Sequence, residues 1–160
     1  MMKLRIITLT AMVSALCAVG AMIKIPVGVT SAALDSAPAF LGAALLPAPA
    51  AGIAAAIGHI VSAGVGGFPY GPFHILIAIE MFLVVWGFAK LHQNKHQILK
   101  WVYAIIANGI LSPLPFYWLI SPEMFYGVTP GILIATIINV VIAGICMPIV
   151  SKAFARREAH

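Results

Sequence analysis

The chain has 160 residues, 62% hydrophobic and only 8% charged, with a net charge of +5. A soluble domain carries about 25% charged residues, so this chain has too little polar material to cover a water-facing surface. Its positive charges sit in short segments flanking apolar runs, the orientation pattern of a membrane protein. No basic face is present to track a phosphate backbone, which argues against nucleic-acid binding.

Met1 to Arg5 supply Lys3 and Arg5, and Ile6 to Ile23 then run 18 residues without a charge. A basic start, an apolar centre and small residues near Ala18–Ala21 suit a secretory signal peptide. The length of the run and the five candidate spans after it favour a retained first span. Leu16, before Cys17, is not the small residue that lipoprotein processing needs. Lys24 to Ser31 read as a loop. Ala32 to Leu46 form a second apolar segment, short for a span, interrupted by Pro38 and carrying Asp35 near its start. Pro47-Ala48-Pro49 is a tight turn that makes segments two and three antiparallel neighbours.

Ala50 to Val65 is the third segment, dense in Ala and Gly. Gly66 to Pro72 is a Gly/Pro turn with Phe68 and Tyr70 at its centre. Phe73 to Leu91 is the fourth segment, His92 to Gln97 a polar loop, and Ile98 to Ile120 the fifth, with Pro113 and Pro115 near its end. Ser121 to Pro130 is a loop with Glu123. Gly131 to Ala153 is the sixth segment, and Phe154 to His160 the tail. The pattern predicts an all-α membrane protein, one domain over residues 1–160, with six transmembrane helices, multi-pass in the cell membrane.

Six segments put both ends on one side. With that side inside, the inner segments hold Lys3, Arg5, Lys90, Lys95, Lys100, Lys152, Arg156 and Arg157, leaving only Lys24 outside. The positive-inside rule therefore predicts cytoplasmic N- and C-termini.

Polar side chains within a span cost a few kcal/mol each, so they face the bundle interior. His59, Glu80, Asn108 and Asn139 each lie about eight to ten residues into segments three to six, and at about 1.5 Å per residue they fall at one membrane level. One polar residue per helix at one level is what a ligand site between helices requires; interhelical hydrogen bonding is the plainer alternative. Glu80 is either paired, for example with His59, or neutral, or a proton-coupling acid.

His74 and Asp35 lie nearer the outer surface, beside the Phe68–Tyr70 turn. His74 is either a hydrogen-bonding group at a pocket mouth or a helix-start histidine facing interfacial water. Asp35 is either a pocket acid or a cap in the first turn of segment two. Phe68, Tyr70, Tyr117, Trp118, Phe125 and Tyr126 gather at the outer ends as an aromatic belt does. Phe68 and Tyr70 are also placed to form a lid over a flat ligand. On segment one, Ala11 to Ala15 and Ser14 to Ala18 are small residues at helical spacing, a face that packs within the bundle or docks a partner.

Enzymatic motifs are lacking: there is no HExxH, no GK[ST] phosphate loop and no GxSxG. His59 and His74 have no third ligand at metal spacing, and Cys17 and Cys146 read as buried small hydrophobes, so neither a metal nor another cofactor is expected. Any pumping needs another subunit or an ion gradient.

The AMVSA element at Ala11–Ala15, the LGAALLPAPAAGIAAAIGHIVSA block and the GGFPYGPFH turn resemble the S components (substrate-binding subunits) of energy-coupling-factor (ECF) vitamin transporters, and the resemblance covers nearly the whole chain. It implies a subunit that captures a vitamin or vitamin precursor at its outer half. It also implies that the small-residue face at Ala11 and Ala15 docks a membrane coupling subunit joined to two ATPases. By position, the implied pocket involves Asp35, the Phe68–Tyr70 turn, His74, Glu80, Asn108 and Asn139. The combination of GHIVSA, GFPYGPFH and IAIEM is most similar to S components assigned to α-ribazole, a cobalamin precursor. A benzimidazole nucleoside is flat, largely apolar and uncharged, and no Arg or Lys lies mid-span to bind an anionic vitamin. Two other readings stay open: a stand-alone proton-coupled transporter using Glu80, and a non-transporting assembly subunit of another membrane complex.

Overall fold

The computed structural model describes residues 2–27 and 30–158. In chain order the elements are α1 (Met2–Met22), β1 (Lys24–Val27), β2 (Thr30–Ala33), α2 (Ser36–Gly42), α3 (Ala48–Val65), α4 (Phe73–Gln93), α5 (Leu99–Ile106), a π-helical turn (Ala107–Leu111), α6 (Pro115–Leu119) and α7 (Pro122–Glu158). Among the described residues, five stretches are long and apolar enough to cross a membrane: Lys3–Met22, Ala48–Val65, Phe73–Gln93, Leu99–Leu119 and Pro122–Arg156.

Several segments differ from the sequence expectation, among them the tail, helical as far as Glu158. The expected loop Lys24–Ser31 contains most of an antiparallel hairpin, with Lys24 paired to Ala33 and Val27 to Thr30; its residues 28 and 29, like 159 and 160 of the tail, lie outside the described residues. Segment two is helical only over the seven residues of α2. At about 1.5 Å per residue that covers about 10 Å, a third of the ~30 Å hydrocarbon core. Pro38 does not interrupt this helix but sits in its first turn, where a backbone N–H has no intrahelical partner to lose.

The expected loop Ser121–Pro130 is instead the first part of α7, which runs unbroken through Pro130. Its start carries ordinary helix signals. Ser121 Oγ accepts from Met124 N at 3.1 Å, Pro122 takes the first helical position, and Glu123 lies in the first turn. Pro130 costs one backbone hydrogen bond, which transmembrane helices tolerate.

Contacts fix the helix directions. Ser14 Oγ donates to Ala54 O at 3.0 Å and Ser62 Oγ to Cys17 O at 3.4 Å, so α1 and α3 run parallel. Their approach depends on Gly58: a Cβ there would lie 2.6 Å from Cys17 Cβ. The α3–α4 pair is antiparallel, with Gly52 against Phe82 near one end and His59 against His74 near the other. Phe88 meets Trp101 at 4.9 Å between α4 and α5, and Asn108 meets Thr136 between the π-helical turn and α7.

The core is built from Ala51, Ala54 and Ala55 of α3, Phe40 of α2 and Val85 and Phe88 of α4, all essentially solvent-free. Small residues on α3 let the larger rings reach across the bundle, and Phe40 packs on Phe88 at 4.9 Å. With these directions the basic residues other than Lys24, which begins the hairpin, gather at one end. Arg5 stands over the Phe154 ring there. Lys100 is turned inward at the same end, only 3% exposed, with Nζ donating to His92 Nδ1 at 2.8 Å and Gln97 Oε1 at 2.7 Å. The hairpin and the Gly66–Pro72 turn occupy the opposite end.

Candidate functional site

The short second helix leaves room. Above the start of α2, where a full span would continue, lies a cavity of about 300 Å³. Every neighbouring element lines it with one face. From α4 come His74, Ile77, Glu80 and Met81, at helical spacing. From α7 come Ile132, Ala135, Thr136 and Asn139, again one helical face, and α3 adds His59. The chain entering α2 supplies Ala33, Asp35 and Ser36.

The remaining wall comes from a local break in the fifth span. Pro113 and Pro115 cannot donate to the carbonyls four residues back, so the helix yields. Ser112 N bonds Ala107 O in a π-type turn at 2.9 Å, and Leu114 N bonds Leu111 O at 3.1 Å. Such π-turns are frequent at functional sites. Asn108 and Ser112, at either end of this turn, both line the cavity, as do Pro113 and Phe116.

Of the eight residues expected at a ligand site, seven line this one cavity: Asp35, His59, Tyr70, His74, Glu80, Asn108 and Asn139. Phe68 does not. It is 45% exposed at the turn's outer surface, with φ +51° and its ring edge-on to His74 at 5.6 Å.

The lining groups are engaged to different degrees. Asn139 is fully used: Oδ1 accepts from Ala37 N at 2.7 Å, while Nδ2 donates to Ala33 O and to Ala135 O, each at 2.8 Å. It staples α7 to both sides of the entry into α2. Asn108 Nδ2 donates to Thr136 Oγ1 at 2.8 Å. Tyr70 N donates to His74 Nε2 at 3.3 Å, so the other nitrogen of a neutral His74 carries the proton. His74 Nδ1 then donates to His59 Nε2 across 3.1 Å. The order turn–His74–His59 ties the aromatic turn to α3. Asp35 stands at the start of α2 without a side-chain cap bond; its Oδ1 accepts from Ser36 Oγ at 3.2 Å. Two buried oxygens, Glu80 Oε2 and Ser112 Oγ, have no hydrogen-bond partner among the described residues.

Toward the hairpin end a second, wider cavity of about 640 Å³ opens between the end of α1, the end of α3 and the Gly66–Pro72 turn. Asp35, His59, Tyr70 and His74 border both spaces, so the histidine pair and Tyr70 stand between outer vestibule and inner cavity. Tyr70 packs on His74 at 5.6 Å and on Phe116 at 5.8 Å. Among the described residues no group of three His, Cys, Asp or Glu side chains is placed to hold a metal ion.

Ser112 and Thr136 escaped the sequence reading. The signal for Ser112 was a hydroxyl before Pro113 inside an apolar run. That for Thr136 was its position one helical turn before Asn139.

Ala11 and Ala15 are far from this cavity. Val13, Ser14 and Cys17 turn into the bundle, while Ala11 and Ala15 face outward. They floor an apolar groove of about 590 Å³ between α1 and α3, walled by Ile6, Ile7, Ile53, Ile57 and Val61.

The family model for the ECF transporter substrate-specific component matches residues 5–154. No curated protein and no solved structure matches the chain.

Proposed function

The chain belongs to the family of ECF transporter substrate-specific components, and from that premise we propose that it captures α-ribazole, or a closely related flat and uncharged vitamin precursor, from outside the cell. Members of this family are transporter subunits rather than enzymes. They sit in the cell membrane, take a small-molecule substrate and work with a membrane-associated module of coupling and ATPase subunits.

The observation that carries the ligand class is the lining of the inner cavity. Its walls include Ile77, Met81, Pro113 and Phe116, with Tyr70 and His74 at its mouth, and no Lys or Arg among the described residues lines it. Inside it an anionic vitamin would meet two acids, Glu80 and Asp35, while the nearest lining cation, Lys24, borders only the wider cavity beside it. A benzimidazole can lie against the aromatic rings, and its riboside adds hydroxyls for the polar groups. The volume of about 300 Å³ stands at the lower end of the ~300–1,000 Å³ range of small-molecule sites.

In this reading the protein is one domain of six segments, with α2 as a truncated second one. The basic end is cytoplasmic and the hairpin end faces outward. His59, Asn108 and Asn139 frame the cavity, Phe68 and Tyr70 cover it, and the Ala11/Ala15 groove docks the coupling subunit. Titrating the purified protein with α-ribazole, its free base, pantothenate, folate, thiamin and riboflavin, and following Trp and Tyr fluorescence, tests this. Saturable binding of the riboside without any partner subunit is the expected result. Tight binding of an anionic vitamin instead overturns the ligand assignment. Binding of none of them overturns the α-ribazole assignment and points to a ligand outside this panel. The proton-coupled alternative draws on the unpartnered Glu80 oxygen and predicts uptake into vesicles that lack an ATPase.

A further inference from the structure

Several hydroxyl groups within the described spans share a habit of donating to a backbone carbonyl. Thr8, Thr10 and Thr129 donate to the carbonyl four residues back, the common way for a helical hydroxyl to find a partner. Ser14 does the same and also reaches Ala54 O, and Ser62 reaches Cys17 O. Ser112 departs from this habit: its Oγ is buried and unpartnered, and it lines the inner cavity. Glu80 Oε2, also buried and unpartnered, lines the same cavity. An unmet polar atom in a low-dielectric interior is costly, so two in one cavity call for an explanation.

Their polar neighbours do not provide it. Asn139 spends its amide on Ala33, Ala37 and Ala135, Asn108 donates to Thr136, and His74 joins Tyr70 to His59. The pair is also chemically selective. A carboxylate oxygen accepts, and a serine hydroxyl has one hydrogen to give. An ammonium group would satisfy Glu80 but has no lone pair for the Ser112 hydrogen. An anionic group has no hydrogen to give the Glu80 oxygen, and a hydrocarbon would leave both oxygens unmet. Ligand hydroxyl groups both donate and accept, and so can answer each of the two.

We propose that Glu80 and Ser112 are the specificity pair of the cavity, recognising the hydroxyl-bearing, sugar-like end of a neutral ligand, while the apolar walls take its flat part. The proposal deepens the capture-subunit reading above and rests on it. Ser112 is the new element, placed at the cavity by the π-turn that Pro113 and Pro115 bring about.

The test compares wild type, Ser112→Ala and Glu80→Gln in two measurements on the full-length purified protein. The first is binding of α-ribazole against its free base. Wild type should prefer the riboside by at least about tenfold, the weight of one good hydrogen bond. Each variant should lose most of that preference while binding the free base as before. Unchanged preference in both variants overturns the proposal, as does an equal loss of affinity for both compounds. The second measurement is melting of the protein without ligand. A residue kept for a ligand stabilises nothing in its absence, so both variants should melt at or above the wild-type temperature; a lower melting temperature in both assigns them a structural role and overturns the proposal. Should wild type bind neither compound, the α-ribazole assignment falls, and the melting comparison alone decides for or against the pair.

Discussion

Asn139→Leu separates two roles that the cavity lining leaves superimposed. Leucine keeps the branched outline of asparagine and is bulkier, so no cavity opens and some overpacking is added at this buried position. What disappears is the staple: Ala37 N loses the acceptor at 2.7 Å and Ala33 O loses the donor at 2.8 Å. Each orphaned buried backbone group costs about 1–3 kcal/mol by soluble-protein experience. Side-chain hydrogen bonds within a bilayer average only about 0.6 kcal/mol. A loss of about 2 kcal/mol is therefore expected, equivalent to a fall of about 4–8 °C in melting temperature for a chain of this size.

The assay is thermal melting in detergent, without and with a saturating ligand, alongside a binding titration. Both stability and affinity should fall, because releasing the entry to α2 moves one wall of the cavity. If Asn139→Leu melts like wild type and only loses binding, the side chain contacts ligand directly and the staple argument is wrong.

Ala15→Trp fills the outward groove between α1 and α3 without touching the inner cavity; cellular uptake should be lost while binding to the purified protein is kept, and joint loss of both would count against docking there. Gly58→Leu drives a side chain into Cys17 Cβ, 2.6 Å from where its own Cβ would stand. Overpacking costs about 1–3 kcal/mol, read as a lower melting temperature, whereas Ala56→Leu at a half-buried position should melt near wild type. His74→Phe keeps an aromatic ring beside Tyr70 but removes the bonds to Tyr70 N and His59. Stopped-flow fluorescence should show ligand release about tenfold faster, since one good hydrogen bond holding the turn corresponds to about that factor; an unchanged release rate would remove His74 from the gating of the inner cavity.

Much of this protein follows from local sequence. Long apolar runs fixed the helices α1, α3 and α4, because a bilayer admits few other ways to satisfy a backbone. The cost of burying His59, Glu80, Asn108 and Asn139 was enough to turn them inward, and their depth along each helix put them at one level. Other features needed the assembled fold. The helix signals at Ser121, Pro122 and Glu123 were present, yet Pro130 masked them: whether a proline ends a helix or is absorbed depends on the packing around it.

The extent of α2 was also undecided locally, since an apolar segment reads alike whether it spans the bilayer or a third of it. That shortness makes the cavity, and Asn139 holds its edge through bonds to residues more than 100 positions away. Sequence spacing could place polar groups at a common depth; only the three-dimensional arrangement decided which of them spend their hydrogen bonds on one another and which, as at Glu80 and Ser112, keep a buried oxygen without a partner among the described residues.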